Sequence, residues 1–506
     1  MKLAELLECL DGARITGDSD VEIEELYYDS RQVGPGGLFF ALRGVKSDGT
    51  LFIEAAVKGG AVAVVADRPC AVPGGATLVE VSDARRAMSL MAARFYGEPT
   101  ASIPTVGITG TNGKTTTTYL IEAIMAKGGY PPAVLGTISY RFGETFIPAP
   151  NTTPESVDLQ RTLRGLVDLG AHGVVMEVSS HSLEQRRADG CQFDVAVFSN
   201  LTRDHLDYHP SMEAYFESKL RLFTDLMAPT PRKPRRHAVV NVDDEYGKRI
   251  AKCAAATVIS YAVEEDADIT VDEVDFSVQG IRCKLDTPRG ELSLTSELLG
   301  RFNLYNILSA VGTGIALGIS DQAIQDGIKG HQKVPGRLER VDNDQGITVL
   351  VDYAHTGDAL ENVLTTLTEL KTGRIITLFG CGGDRDKGKR PVMGEIAARY
   401  SDLAVVTSDN PRTEQPQAIL QDIQAGIAPL SLKEYSAEEI ANGFDEKGFV
   451  TIESRRDAIG VAMQAARPGD IVLLAGKGHE DYQILGTEKF HFDDREEAAE
   501  ALKLRG

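Results

Sequence analysis

Thr105-Val-Gly-Ile-Thr-Gly-Thr-Asn-Gly-Lys-Thr-Thr116 runs from a short apolar strand through a glycine-rich turn into a stretch with helical spacing. Gly110 and Gly113 let the backbone N–H groups between them turn inward. The following helix carries Leu120, Ile121, Ile124 and Met125 on one face and offers its positive N-terminal end to an anion. In that frame Lys114 neutralises β and γ phosphates, and the Thr115 hydroxyl suits Mg²⁺. The usual phosphate-loop pattern fails at one place, because the residue five before Gly113 is Ile108. A chance G-x-x-G-K-T in a loop is the competing reading, and the strand and helix flanks argue against it.

Outward from this loop the chain reads as three α/β segments, in keeping with 506 residues at about 150 per domain. Residues 1–100 hold short apolar runs at 38–42 and Ala61–Ala66 between Gly-rich turns, with one longer helix at Ala84–Phe95. The Gly-Glu-Pro-Thr-Ala-Ser-Ile-Pro stretch at 97–104 marks the boundary to a central segment, 101–334. There strands and helices alternate, with a β-rich portion at 269–294. Beyond it, residues 335–506 place apolar strands at 347–351, 375–379, 403–406, 449–452 and 471–474. The helix after Asp358 puts Leu360, Val363, Leu364, Leu367 and Leu370 on one face. The last segment is thus predicted to be a Rossmann-like, doubly wound α/β domain that binds ligands beyond the carboxyl ends of its strands.

Composition excludes several classes. The chain has 53 basic and 74 acidic residues, a formal charge of −21, which opposes broad nucleic-acid binding. The one basic run, at 231–237, has prolines at 229, 231 and 234 and reads as a solvated surface loop. The N-terminus is too acidic for a secretory signal, and no stretch reaches the roughly eighteen apolar residues of a membrane span, so a cytoplasmic protein without membrane insertion is expected. Cys9, Cys70, Cys191, Cys253, Cys283 and Cys381 are far apart and are expected to be small core residues.

Two further places bear on chemistry. Gly173-Val-Val-Met-Glu-Val-Ser-Ser-His181 predicts a buried strand ending near Glu177, where a carboxylate is costly unless it meets a metal or a cation. A strand at 195–198 leads into Ser199-Asn-Leu-Thr-Arg-Asp-His205-Leu-Asp-Tyr-His209. Glu177 and His205 are candidate Mg²⁺ ligands, against a surface glutamate and a capping histidine. In a helix at 211–227, Met212, Phe216, Phe223 and Leu226 form an apolar stripe whose skipped slot is Lys219. Either Lys219 snorkels to water, or burial lowers its pKa and the neutral amine takes up CO₂ as a metal-binding carbamate.

Gly110-Thr-Asn-Gly-Lys-Thr-Thr116, Met176-Glu-Val-Ser-Ser-His181, Asn200-Leu-Thr-Arg-Asp-His-Leu-Asp-Tyr-His209 and Gly380-Cys-Gly-Gly-Asp-Arg-Asp-Lys-Gly-Lys-Arg-Pro391 together resemble the Mur ligases of peptidoglycan synthesis, in order and over essentially the whole chain. The family's own loop, T-G-T-N-G-K-T, accounts for the irregular pattern at Ile108. The resemblance implies a UDP-muramoyl substrate domain (1–100), a central ATP-binding P-loop domain (101–334) and a C-terminal amino-acid domain (335–506). It implies an ATP-dependent ligase adding meso-diaminopimelate to UDP-N-acetylmuramoyl-L-alanyl-D-glutamate through an acyl phosphate, with Mg²⁺ as cofactor and a monomer as the working form.

Residue by residue, the likeness assigns Gly110, Thr111, Asn112, Gly113, Lys114, Thr115 and Thr116 to ATP, with Asn303, Arg337 and Asp352 near adenine and ribose and His355 more loosely. Ser30 falls at the uridine end. Asn151, Thr152, Thr153, Ser179, Gln185 and Arg187 fall along the muramoyl peptide. Lys219 matches the lysine that the family carbamylates, so Thr115, Glu177, His205 and the Lys219 carbamate are the implied metal set, and Lys114, Lys219, His205 and Glu177 the implied catalytic set. Arg385, Asp409, Asn410, Pro411, Arg412, Gly476 and Glu480 match the diaminopimelate contacts. Physically, the Arg412 guanidinium offers a planar fork for a second carboxylate, where lysine would present an ammonium. An N-capping turn with a surface arginine is the alternative for Asp409-Asn-Pro-Arg412. Ser182, the basic Gln185-Arg-Arg187 and the Pro-rich loop after Met227 depart from the family pattern. A lysine-adding ligase, a folylpolyglutamate synthetase and a P-loop ATPase without ligase activity are the rival functions.

Overall fold

The computed structural model describes residues 1–44, 47–206, 208–330, 333–441 and 443–505. Asp207 of the quoted histidine segment lies outside them. The chain forms two compact units: Met1–Asp272, Leu285–Leu292 and Tyr305–Gly330 make the first; Glu273–Lys284, Ser293–Leu304 and the described residues beyond 330 make the second.

The first unit contains two sheets. Its smaller sheet has the order Arg14–Thr16, Thr77–Glu80, Ala61–Ala66, Gly37–Phe40, Glu25–Tyr27, parallel except for the first pair. The Ala84–Phe95 helix is capped by Asp83, whose carboxylate accepts from Arg86 N, and it buries Ala87, Met88, Met91 and Ala92 in the same core as Leu38, Phe40 and Val65. The larger sheet runs Thr257–Tyr261, His237–Asn241, Val195–Phe198, Thr105–Thr109, Gly173–Glu177, Pro132–Leu135, Ser139–Phe142, Thr145–Pro148. Its first six strands are parallel and its last two antiparallel. Strands buried on both sides read as continuous apolar runs, which is why Val195–Phe198 and Gly173–Glu177 are legible without alternation. Four neighbouring strands therefore end side by side at Ser199, Gly110, Glu177 and Gly136.

The second unit is built on a sheet of order Glu339–Val341, Thr348–Asp352, Ile471–Ala475, Ile375–Phe379, Leu403–Val406, Gly448–Thr451, Lys433–Tyr435. Only the Glu339–Val341 pairing is antiparallel. The Gly357–Leu370 helix buries the predicted stripe of Leu360, Val363, Leu364, Leu367 and Leu370. A hairpin, Tyr482–Leu485 with Glu488–His491, follows the Ile471–Ala475 strand. The β-rich portion is a three-stranded sheet of Thr270–Ser277, Gly280–Thr287 and Gly290–Ser296.

Two expectations are corrected. The basic run is not simply a solvated loop: Arg232 and Arg235 face water, but Lys233 and Arg236 are buried. Lys233 Nζ donates to the Ile103 and Gln192 carbonyls at 2.9 and 2.8 Å and pairs with Asp194 at 2.5 Å; Arg236 donates to the Leu226 carbonyl at 2.5 Å. Buried cations are tolerated there because backbone carbonyls and a carboxylate replace their water. Nor are all cysteines core residues: Cys191, Cys283 and Cys381 are buried, Cys9 and Cys70 half-buried, and Cys253 exposed.

Candidate functional site

The phosphate loop is built as its glycines require. Gly110 has φ 147° and Gly113 has φ 87°, both beyond the reach of ordinary side chains. A Cβ on Gly110 would lie 1.9 Å from Ser199 Oγ, and one on Gly113 would lie 2.3 Å from Asn306 Oδ1. The neighbouring strand end clasps the loop: Asn200 O accepts from Thr111 N at 2.8 Å, and Ser199 Oγ donates to Asn112 O at 2.6 Å. Gly113 then caps the Lys114–Lys127 helix, with Thr115 and Thr116 buried in its first turn.

Lys114 Nζ donates to the carbonyls of Gly110 and Thr111 at 3.0 and 2.8 Å. Lys219, on the Met212–Thr224 helix capped by Ser211, is 1 % exposed and donates to the same Gly110 carbonyl at 2.8 Å, with its ammonium 4.6 Å from the centre of the Tyr215 ring. It therefore does not snorkel. Burial, with the Lys114 cation beside it, lowers its pKa well below the ordinary lysine range, and Asp204 offsets this only in part.

Glu177 is 1 % exposed at the end of its strand. Its two carboxylate oxygens accept from Thr137 N and Thr137 Oγ1, each at 3.0 Å, so the surface-glutamate reading does not hold. Thr137 was missed in the sequence, although the apolar strand Pro132–Leu135 followed by Gly-Thr is the same signal that betrays the phosphate loop. His205 sits in a left-handed conformation, φ 54°, with its ring 5.0 Å from that of His181 and Nε2 3.5 Å from Asp204. Among the described residues no group of three or more His, Cys, Asp or Glu is placed to hold a metal.

Five of the residues assigned to the muramoyl peptide form one network. Thr137 Oγ1 meets Thr152 Oγ1 at 3.1 Å; Thr153 Oγ1 donates to Glu177 O at 2.9 Å and accepts from Ser179 N at 3.2 Å. Arg187 donates to Thr153 O at 2.9 Å and to Gln185 Oε1 at 2.6 Å, and pairs with Glu155 at 3.1 Å. Asn151 is exposed and holds the chain by its carbonyl, which accepts from the Tyr140 hydroxyl. Ser30 lies in the turn after the Glu25–Tyr27 strand of the smaller sheet, where Asp29 accepts from Arg31 N at 3.0 Å.

The second unit carries the remaining candidates, most of them next to strand ends and Asn303 in the first turn of the Arg301–Ala316 helix. Asp352 is buried and accepts from Leu338 N and Ala354 N at 2.7 and 2.8 Å; burial raises its pKa against the pull of Arg337. The Arg337 guanidinium lies 5.1 Å from the Tyr353 ring centre, and His355 Nδ1 is 2.9 Å from Tyr353 O. Asn303, also buried, donates to Leu299 O at 2.8 Å.

Arg412 adopts φ 52° and donates to Gly383 O at 2.9 Å, while Gly383 N donates to Asn410 O at 2.9 Å, so the 380–391 loop and the Asp409-Asn-Pro-Arg412 turn hold each other. Pro411 is buried, Arg385 is exposed, and Gly476 has φ 111°. Asn410 Nδ2 donates to Glu480 Oε2 at 3.1 Å. Burial and Asp409 together raise the Glu480 pKa; in Asp409 burial is outweighed by Lys477 and Arg455, and its pKa is lowered. The buried Arg390, unremarked in the sequence, fixes the turn by gripping Glu414 at 2.8 and 3.1 Å and Asp422 at 2.9 Å.

Comparison with known proteins matches three family models along the chain: "Mur ligase family, catalytic domain" at residues 22–96, "Mur ligase middle domain" at 108–314, and "Mur ligase, glutamate ligase domain" at 336–478. A protein of Geobacter metallireducens named UDP-N-acetylmuramoyl-L-alanyl-D-glutamate--2,6-diaminopimelate ligase is 65% identical over 503 residues, 99% of this chain and 98% of that one. One of the same name from Geobacillus thermodenitrificans is 44% identical over the full length of both. A solved structure, also titled as that ligase, superposes with a TM-score of 0.74 at 32% identity, covering 100% of this chain and 99% of the other. With the loop, the buried lysine and the paired strand-end turns all falling inside the matched stretches, the chain belongs to the Mur ligase family.

Proposed function

We propose that this protein is the ATP-dependent ligase that joins meso-2,6-diaminopimelate to the D-glutamate of UDP-N-acetylmuramoyl-L-alanyl-D-glutamate, a cytoplasmic step of peptidoglycan synthesis carried out by a monomer. The convergence of Lys114 and the buried Lys219 on the Gly110 carbonyl, at the carboxyl ends of a parallel sheet, carries this reading. The names of its full-length relatives support the choice of substrates. Residues 1–100 are assigned to the uridine end of the substrate, 101–334 to ATP and 335–506 to the amino acid.

The donor chemistry fits Mg²⁺, a cation that prefers oxygen ligands. Glu177 uses two of its acceptor sites on Thr137 and has capacity left, and the Thr115 hydroxyl lies in the first turn after the loop. Lys219 fits only as a carbamate, which its depressed basicity favours; His205, a nitrogen donor, completes the proposed set. Bound Mg²⁺ would supply neutralisation of phosphate charge.

Lys114 holds the β and γ phosphates while the γ-phosphoryl group passes to an oxygen of the glutamate γ-carboxylate, breaking the bond to ADP. The Thr152–Arg187 network orients that carboxylate. In the acyl phosphate so formed, the diaminopimelate amine attacks the carbonyl carbon, phosphate leaves with the C–O bond electrons, and the nitrogen loses its proton to give the amide. Asn410, Arg412 and Glu480 bind the far end of diaminopimelate, its carboxylate to the arginine and its ammonium to the glutamate.

The test is ADP release by purified protein with ATP, Mg²⁺ and the UDP-muramoyl dipeptide. Release that requires both the dipeptide and diaminopimelate supports the assignment. Release without the dipeptide would make the chain an ATPase, and preference for L-lysine would overturn the choice of amino acid.

A further inference from the structure

Lys477 is wholly buried, yet its ammonium has three acceptors around it: Asp409 Oδ1 at 3.0 Å, Asn410 Oδ1 at 3.2 Å and the Tyr482 carbonyl at 2.7 Å. The Asn410 amide and the Tyr482 carbonyl accept hydrogen bonds and the Asp409 carboxylate is held as an ion pair, so the ammonium is committed to protein groups. The consequence falls on Asn410. Its Oδ1 takes a second hydrogen bond, from Ile484 N at 2.9 Å, on the hairpin that follows the sheet. An amide whose oxygen is held by two donors can present only its NH₂ group elsewhere, and here Nδ2 faces Glu480 at 3.1 Å. Gln483 ties the same hairpin back by donating to Asp409 O at 2.7 Å.

We propose that Lys477 is a positioning residue for the amino-acid subsite, which by locking the Asn410 amide with its NH₂ toward Glu480 fixes the donor and acceptor pattern that recognises the far carboxylate and ammonium of the incoming amino acid. The proposal deepens the ligase reading and rests on it. Without the lysine, the Asn410 amide has one donor fewer on its oxygen and can turn over. It then presents an acceptor to Glu480, and the subsite loses its grip on the zwitterion without any change at the phosphate loop.

Steady-state kinetics of the full-length enzyme test this. Lys477→Met is expected to raise KM for diaminopimelate at least about tenfold, the scale of losing a charge-assisted hydrogen bond. KM for ATP and for the UDP-muramoyl dipeptide stays near wild type, and preference for diaminopimelate over L-lysine narrows. Unchanged KM for diaminopimelate in a folded Lys477→Met protein would overturn the proposal. Should that variant unfold, Asn410→Asp decides, because aspartate keeps an acceptor for Lys477 and Ile484 while replacing the NH₂ by a second oxygen. The same selective rise in KM supports the proposal, and wild-type KM refutes it. Absence of diaminopimelate-dependent turnover in the wild type would refute the ligase reading itself, and so the two failures are told apart by the unmutated enzyme.

Discussion

Lys114 and Lys219 donate to one and the same acceptor, the Gly110 carbonyl, at 3.0 and 2.8 Å. Lys114 is half-buried and has the Thr111 carbonyl as a second acceptor, whereas Lys219 is shut off from solvent, and burial destabilises its proton. The two lysines are therefore unequal partners, and we propose Lys114 for phosphate and Lys219 for carbamylation.

Protein equilibrated with ¹³C-bicarbonate is expected to show a carbamate carbon resonance that is absent from Lys219→Ala. That variant should lose at least about a hundredfold in turnover, the scale of removing one preorganised electrostatic group. Short carboxylic acids, which restore the lost anion, should return part of the rate. A Lys219→Ala enzyme at wild-type rate would contradict the account.

Lys114→Ala is expected to lower turnover by about three orders of magnitude or more, since positioning and charge neutralisation carry phosphoryl transfer. Thermal melting should move little, because the carbonyls of Gly110 and Thr111 that Lys114 meets belong to its own loop. Gly113→Ala should cost stability as well. Its Cβ would sit 2.3 Å from Asn306 Oδ1 at φ 87°, so stability falls by about 1–3 kcal/mol, measured by denaturant unfolding.

Glu414 supplies the pH dependence. The Arg390 guanidinium, reinforced by a bond from Asp384 N, holds its carboxyl at about 2, against an ordinary value of 4.5. Between those values the unfolded chain binds more protons than the folded protein. This contribution to stability is therefore complete above 4.5 and is lost as the pH falls toward 2. Glu414→Gln should lower the melting temperature at neutral pH and flatten its decline between pH 5 and 2; an unchanged acid profile would remove Glu414 from the account.

Much of this was readable in advance where one local rule decides. The strand, glycine turn and helix at 105–127, the Ala84–Phe95 helix and the Leu403–Val406 strand follow from apolar runs and spacing that need no distant partner. What escaped depends on partners far along the chain. Lys233 is buried because Asp194 and the Gln192 carbonyl, some forty residues earlier, receive it. Lys219 looks like a snorkelling lysine until the Gly110 carbonyl is placed over it. Thr137, Arg390 and Lys477 act by holding other groups, and a sequence shows no sign of which group a side chain will hold.

Arg412→Lys should raise KM for diaminopimelate by about ten- to a hundredfold, through loss of a bidentate pair, without creating efficient use of L-lysine. Glu480→Gln should likewise raise it, since the amide no longer offers a charge to an ammonium. Efficient lysine addition by Arg412→Lys would show that the specificity lies elsewhere.

The central claim is tested most directly by the mass of the nucleotide product after incubation with ATP, Mg²⁺, the UDP-muramoyl dipeptide and an equimolar mixture of meso-diaminopimelate and L-lysine. The account predicts a single new species heavier than the dipeptide by one diaminopimelate less one water, formed in step with ADP. A lysine adduct, or ADP formed while the dipeptide keeps its mass, would contradict it.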